Sequence, residues 1–431
     1  MIKTSIPHFF PWRVCVESIF VIALIGCASP IPAAPSPTVT ATPTPHPTQT
    51  ATPTVTPTPS VTPGPSLDEL LTTPNALAAA AHLDDAMVYY GDLATLYPAS
   101  AEPLLRMAAL AQRQNDAEAA ERYFEAAAKA DPTHRDALRL WAIFLDSQGR
   151  YADLVGVYDR MAALGPDNAD LRVARAMANA RLGKAPAAAD DLAAAMALDP
   201  NREYAWLNVA GAASGGRQYE AAIEIASAGL DAYPDSSGLL MTRGLATLST
   251  HDTDAAIADF KAVEALDPSN AMALHWHGRA LIESGSFSEA VETLQRAAEL
   301  GALSGADGVN LSYESMAYAA DALARTDVNA AFEYLAARVF QHGSRDGLMM
   351  GYGLARWRQG NISLAVGRMN SLVDIGFVPA LHWRGAILAE QGETEKAIAD
   401  LKAFLSLRHS GPDVESARET LESLGVDPDK P

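Results

Sequence analysis

Residues 254–285 read DAAIADFKAVEALDPSNAMALHWHGRALIESG. Ala256 and Phe260 precede Pro268, and Leu274, Gly278, Leu281 and Gly285 follow it. Pro268 closes a series. Pro98, Pro132, Pro166, Pro200, Pro234 and Pro268 stand 34 residues apart without slippage, in the words LYP, ADP, LGP, LDP, AYP and LDP. A fixed period of this length marks one unit used many times over, and each unit needs its neighbours to bury its apolar face. Proline cannot continue a helix, so its recurrence places a turn at the end of every unit.

Working outward from this stretch, units fall at 67–100, 101–134, 135–168, 169–202, 203–236, 237–270 and 271–304, then at 312–345, 346–377 and 378–411. Small residues recur where two helices of a unit must approach closely, and large ones where a gap must be filled. In unit 101–134 the pattern is Leu104, Met107, Ala108, Ala120, Phe124, Ala127 and Pro132. Unit 203–236 supplies Trp206, Ala210, Ala222 and Pro234, and unit 237–270 supplies Leu240, Gly244, Ala256, Phe260 and Pro268. Unit 271–304 adds Leu274, Gly278, Leu281, Gly285, Phe287 and Ala290, with Ala302 in place of proline. Unit 378–411 carries Leu381, Gly385, Leu388, Gly392 and Ala397.

This period and residue pattern resemble the tetratricopeptide repeat (TPR) family over about 345 residues. The resemblance implies an all-α superhelical solenoid of helix-turn-helix repeats. Three departures are expected to matter. Pro74 falls inside a first helix, so unit 67–100 is expected to be a partial cap. Residues 305–311, GADGVNL, are an insertion that resets the phase, and the array is expected to bend or break near 300–311 into two lobes, 67–304 and 312–411. Unit 346–377 is short. Residues 412–431 are expected to form a capping helix with one wet face, followed by a tail.

The two cysteines, Cys15 and Cys27, both lie ahead of the repeats, so no disulfide framework or cysteine metal site holds the body. Lys3 and Arg13 precede an apolar run at 14–26, too short to span a bilayer. Its end, Leu24-Ile25-Gly26-Cys27, resembles the lipobox of bacterial lipoprotein signal peptides. That resemblance implies a signal at 1–26, a lipid on Cys27 and an extracytoplasmic location in a bacterial cell envelope, anchored to the outer face of a membrane. An ordinary secretory signal cut near 28–34, or a mis-set start, is the alternative. Residues 27–66 hold the lipidated cysteine and a stretch rich in threonine and proline without charge, expected as a disordered, extended tether.

The formal net charge is -20, which disfavours nucleic acid and anionic lipid and favours a neutral or basic protein or peptide partner. In the TPR family the first helices line a concave face. Carried onto this chain, the resemblance nominates Tyr204, Leu207, Met241, Leu245, Leu248, Met272, His275, Arg279, Ile282, Leu354 and Trp357 as an apolar groove for a peptide. The lysine/asparagine carboxylate clamp of some relatives is not matched, because Asn208 stands there without the lysines.

No P-loop, GxSxG or HExxH occurs. His275 and His277 are two apart and so point to different helix faces. GAASGGRQ at 211–218 follows a helix and reads as a turn, not as a phosphate cradle. The words LHWHG (274–278) and LHWRG (381–385) recur at one repeat position, which assigns Trp276 and Trp383 to packing. No catalytic residue, metal, cofactor or small-molecule substrate is expected. The expected function is a non-enzymatic, membrane-anchored scaffold or adaptor. A stability or assembly factor for a secretion, pilus or cell-wall machine is the alternative, with an enzyme of unrecognised site a third.

Overall fold

A computed structural model describes residues 65–200, 202–302 and 305–430. The expected signal segment, Cys27 and the expected tether up to residue 64 lie outside the described residues. Among those described there are 21 helices and no strand.

The helices come as ten antiparallel pairs and a final single helix. The first five pairs are α1 (Leu67–Ala79) with α2 (Leu83–Leu96), α3 (Glu102–Arg113) with α4 (Ala117–Ala130), α5 (Arg135–Ser147) with α6 (Tyr151–Ala163), α7 (Ala169–Arg181) with α8 (Ala185–Leu198), and α9 (Glu203–Gly215) with α10 (Tyr219–Ala232). The next five are α11 (Ser237–Ser249) with α12 (Thr253–Leu266), α13 (Ala271–Glu283) with α14 (Phe287–Gly301), α15 (Gly305–Ala324) with α16 (Val328–His342), α17 (Asp346–Arg358) with α18 (Ile362–Asp374), and α19 (Pro379–Glu390) with α20 (Thr394–Leu407). The last helix is α21 (Pro412–Ser423). Each periodic proline follows a second helix by two or three residues, as its missing N–H requires.

Two features recur in locking the helices of a pair together. The first is a glycine against a large side chain sixteen residues on. A Cβ added to Gly244 would stand 2.8 Å from Phe260, one on Gly278 2.4 Å from Leu294, and one on Gly385 2.7 Å from Leu401. All three large residues are fully buried. The second is an ion pair one residue earlier in the same frame, which sequence reading missed. Arg175 grips Asp191, Arg243 grips Asp259 and Arg384 grips Asp400, each through two N–H···O bonds. Planar guanidinium on carboxylate is the strong, directional form of such a pair.

The turn inside a pair is equally regular. Its apex is left-handed at Gly149, Gly183, Gly285, Gly360 and Gly392, where glycine carries no penalty. Ala81, Asn115, Arg217 and His251 adopt the same left-handed φ of 57–63° at the corresponding position, where a side chain is unfavourable.

The structure corrects three expectations. Unit 67–100, expected as a partial cap, has both of its helices, with Pro74 inside α1. Ser66 caps that helix in a reciprocal box with Glu69, and the buried proline is accommodated within it. The insertion at 305–311 does not open a gap; it forms the beginning of α15, which has 20 residues where a standard first helix such as α13 has 13. Ser312 Oγ donates to the Ala298 carbonyl at 2.7 Å, and α15 packs on α14, α13 and α17. The array is therefore not broken at this point, and the described residues from Pro65 onward form one compact unit. The third correction concerns α21. Its apolar residues Val414, Ala417 and Leu421 are buried with Leu401 and Phe404 of α20, as a cap requires. Its charged side is not simply wet, because it meets the middle of the array.

Candidate functional site

The first helices pack on one another along the array, α7 on α9, α9 on α11, α11 on α13, and α13 on α15. From its seat on α19 and α20, α21 reaches across to α11. A helix that joins the last repeat to the sixth spans the inner side of a curved array, so the first-helix face is the inner face.

The nominated groove residues divide along it. Tyr204 and Met272 are exposed, at 53% and 47%. Leu207, Met241 and Leu245 are half-buried, and Leu207 lies over the Gly238 backbone. The others do not form an open strip. Leu248, Ile282 and Leu354 are buried in the core because neighbouring first helices close over them. His275 is buried and its Nδ1 meets Ser315 Oγ at 2.8 Å. Trp357 is half-buried; its ring meets Trp383 edge-on at 6.0 Å and its Nε1 donates to Glu390 at 2.9 Å. Trp276 and Trp383 do pack between repeats, but Trp276 also carries a cation. His275 and His277 diverge, the latter bonding to Glu264 at 2.5 Å.

Arg279 is the centre of the site. It is buried between the rings of Trp276 and Tyr318, with its guanidinium carbon 4.7 Å and 4.6 Å from their centroids. Stacking of this kind holds a guanidinium in place while keeping its charge. Both of its terminal nitrogens donate to Asp413 of α21, one at 3.0 Å. Burial alone would push the Asp413 carboxyl up, but the charge and hydrogen bonds of Arg279 hold it down to about 2. Burial, with the Arg279 charge beside it, pushes His275 down to about 3, so this imidazole is neutral at ordinary pH. Burial also depresses His382, which lies against Phe404 at 5.3 Å.

Two further anchors bind α21. Glu415 accepts from Arg217 Nε at 2.7 Å, from the other arm of that guanidinium at 2.9 Å and from Tyr219 Oη at 2.9 Å. The same Tyr219 oxygen accepts the Gly411 N–H at 3.1 Å. Glu419 meets His251 Nε2 at 2.7 Å. Between these anchors lies a cavity of about 500 Å³ bounded by Leu248, His251, Arg279, Trp383, Asp413 and Glu419.

Sequence reading missed Arg217, Tyr219, His251, Asp413, Glu415 and Glu419. One signal was present: Arg217 and His251 occupy the turn position that five other repeats give to glycine.

Residues 105–169 and 241–305 match the model of the tetratricopeptide repeat family. The chain therefore carries tetratricopeptide repeats, and its fold is the all-helical TPR solenoid. TPR proteins as a class mediate protein–protein interactions. Among solved structures, the chain is similar to yeast Tom70 at 13% identity, covering 83% of this chain and 94% of that one with a TM-score of 0.34. It is similar to a tetratricopeptide repeat protein from Parabacteroides merdae at 13% identity, covering 64% and 93% with a TM-score of 0.33. It is also similar to YrrB, described as a TPR protein with an unusual peptide-binding site, at 17% identity, covering 43% and 96% with a TM-score of 0.30. No curated protein matches the chain.

Proposed function

We propose that this protein is a non-catalytic adaptor, tethered to the outer face of a bacterial membrane through a lipid on Cys27, that binds a protein or peptide partner on the open part of its inner face. One observation carries the reading. Tyr204 and Met272 are exposed on the first helices of nearby repeats, with Leu207, Met241 and Leu245 half-buried between them. Aromatic and methionine side chains in this setting adapt to apolar anchors of a peptide. The net charge of -20 favours a neutral or basic partner for this strip. The threonine- and proline-rich segment ahead of residue 65 supports the tether, since such composition favours extended chain.

The test is affinity capture from envelope membranes with the full chain, its Tyr204→Asp/Met272→Asp variant and its Cys27→Ala variant. The expected result is a partner enriched by the parent and reduced at least about tenfold with the double variant, the loss of two apolar anchors. Cys27→Ala is expected to move the protein to the soluble fraction while keeping the partner. Equal recovery with the double variant would refute the assigned strip. Full membrane retention of Cys27→Ala would refute the lipid anchor alone.

A further inference from the structure

We propose that Arg217, Tyr219, His251 and Arg279 form a receptor surface for an acidic amphipathic helix, that α21 is its resident occupant in cis, and that a partner helix of the same chemistry gains the surface by displacing it. The proposal rests on the adaptor reading above and names a second class of partner for it.

The charges are arranged against the average of the chain. The protein has 52 acidic and 32 basic residues, yet two guanidinium groups, Arg217 and Arg279, and the imidazole of His251 meet one acidic helix. The residues that meet there are 134 to 198 positions apart in sequence, so local helix chemistry does not explain them. Two of these side chains sit where glycine is the usual choice. Arg217 and His251 sit at left-handed turn positions, φ 61° and 62°, that five other repeats fill with glycine. The third, Arg279, is fixed by Trp276 and Tyr318 independently of α21. Removing α21 would leave an oriented carboxylate receptor in place.

The attachment of α21 is asymmetric. Its apolar side is buried with the last repeat through Val414, Ala417 and Leu421. Across the array it is held through ion pairs and hydrogen bonds; the His251–Glu419 pair is more than half exposed, while the Arg217–Glu415 and Arg279–Asp413 pairs are mostly buried. Exposed pairs of this type are weakened by salt and by competing charge. Gly411, with φ 106°, joins α21 to the chain after α20. With its apolar side kept on α20, α21 leaves Arg217, His251 and Arg279 only by moving together with the last repeat.

The test uses the full chain and its Asp413→Asn/Glu415→Gln/Glu419→Gln variant. Hydrogen exchange of the segment around Gly411, whose N–H donates to Tyr219, reports release of α21. A labelled peptide of residues 412–426, added in trans, reports access to the surface. The variant is expected to exchange this segment at least about tenfold faster and to bind the peptide at least about tenfold tighter than the parent, equivalent to about 1.4 kcal/mol. Adding Arg279→Gln to the variant should abolish that gain. Slow exchange restored in Arg217→Glu/Glu415→Arg, relative to Glu415→Arg alone, separates lost pairing from misfolding. Unchanged exchange in the triple variant would refute the polar clasp. Fast exchange without tighter peptide binding would refute the receptor. Neither outcome touches capture through Tyr204 and Met272, so failure here is distinct from failure of the adaptor reading.

Discussion

Phe260→Ala is expected to cost about 3–5 kcal/mol of unfolding free energy, the range for deleting a buried aromatic ring. Phe260 is fully buried, and its ring fills the space that Gly244 leaves open between α11 and α12. Alanine there removes the ring while the glycine opposite offers nothing to collapse into the void. Because each repeat contacts chiefly its neighbours, the loss should be felt first in α11 to α13. Denaturant unfolding followed by circular dichroism gives the size, and hydrogen exchange gives the location. Leu198→Ala, at a position 49% exposed, is the control and should fall within about 0.5 kcal/mol of the parent. An equal effect of the two substitutions would contradict the packing described.

Gly347→Ala is the second large effect. A Cβ at this position would stand 2.7 Å from the backbone carbonyl carbon of Tyr313 and 2.8 Å from its oxygen. A flexible side chain could move aside, but a helix backbone must move as a body. The methyl group therefore forces α15 and α17 apart, at a cost of about 1–3 kcal/mol, toward the upper end because both contacts are backbone. Gly156→Ala, where nothing lies within 4 Å of the added carbon, should be neutral or slightly stabilising. Thermal unfolding of the two variants side by side checks the contrast. A Gly347→Ala protein as stable as Gly156→Ala would show that α15 and α17 do not approach this closely.

These residues also show what could be read in advance. Pro98 through Pro268 marked the ends of second helices because proline acts locally, and the structure puts each just past a helix end. Gly244, Gly278 and Gly385 were legible as close-approach points for the same reason, since their partners follow sixteen residues later in the same unit. The Arg243–Asp259 pairing shares that frame, but charged residues on a helix read by default as a solvated face. The insertion at 305–311 was legible in length but not in effect, because extending a helix and breaking an array use the same number of residues. The buried members of the nominated groove were not legible for a different cause. Leu248, Ile282 and Leu354 sit at positions that a solenoid of any curvature would turn inward, and only the packing of neighbouring helices decides which are covered. The docking of α21 depends on how far the array curves, a sum of small rotations that no single repeat encodes. Asp413, Glu415 and Glu419 meet their partners only once that sum is made.

The pairing of α21 also has a pH signature. The Asp413 carboxyl lies at about 2 in the folded chain, below its ordinary 3.8. Its contribution to stability is complete above pH 3.8 and is lost as pH falls through about 2. Protonation of Asp413 therefore weakens its pairing with Arg279 only at strongly acidic pH.

The central claim is that the C-terminal helix lies across the inner face and leaves only part of it free. The most direct measurement is the distance distribution between spin labels at Glu220→Cys and Glu422→Cys, both exposed positions, in the full chain with Cys15→Ser and Cys27→Ser. One narrow distribution at low salt, broadened by Asp413→Asn/Glu415→Gln, is the result expected. A broad distribution in the parent chain, unchanged by those substitutions, would contradict the account.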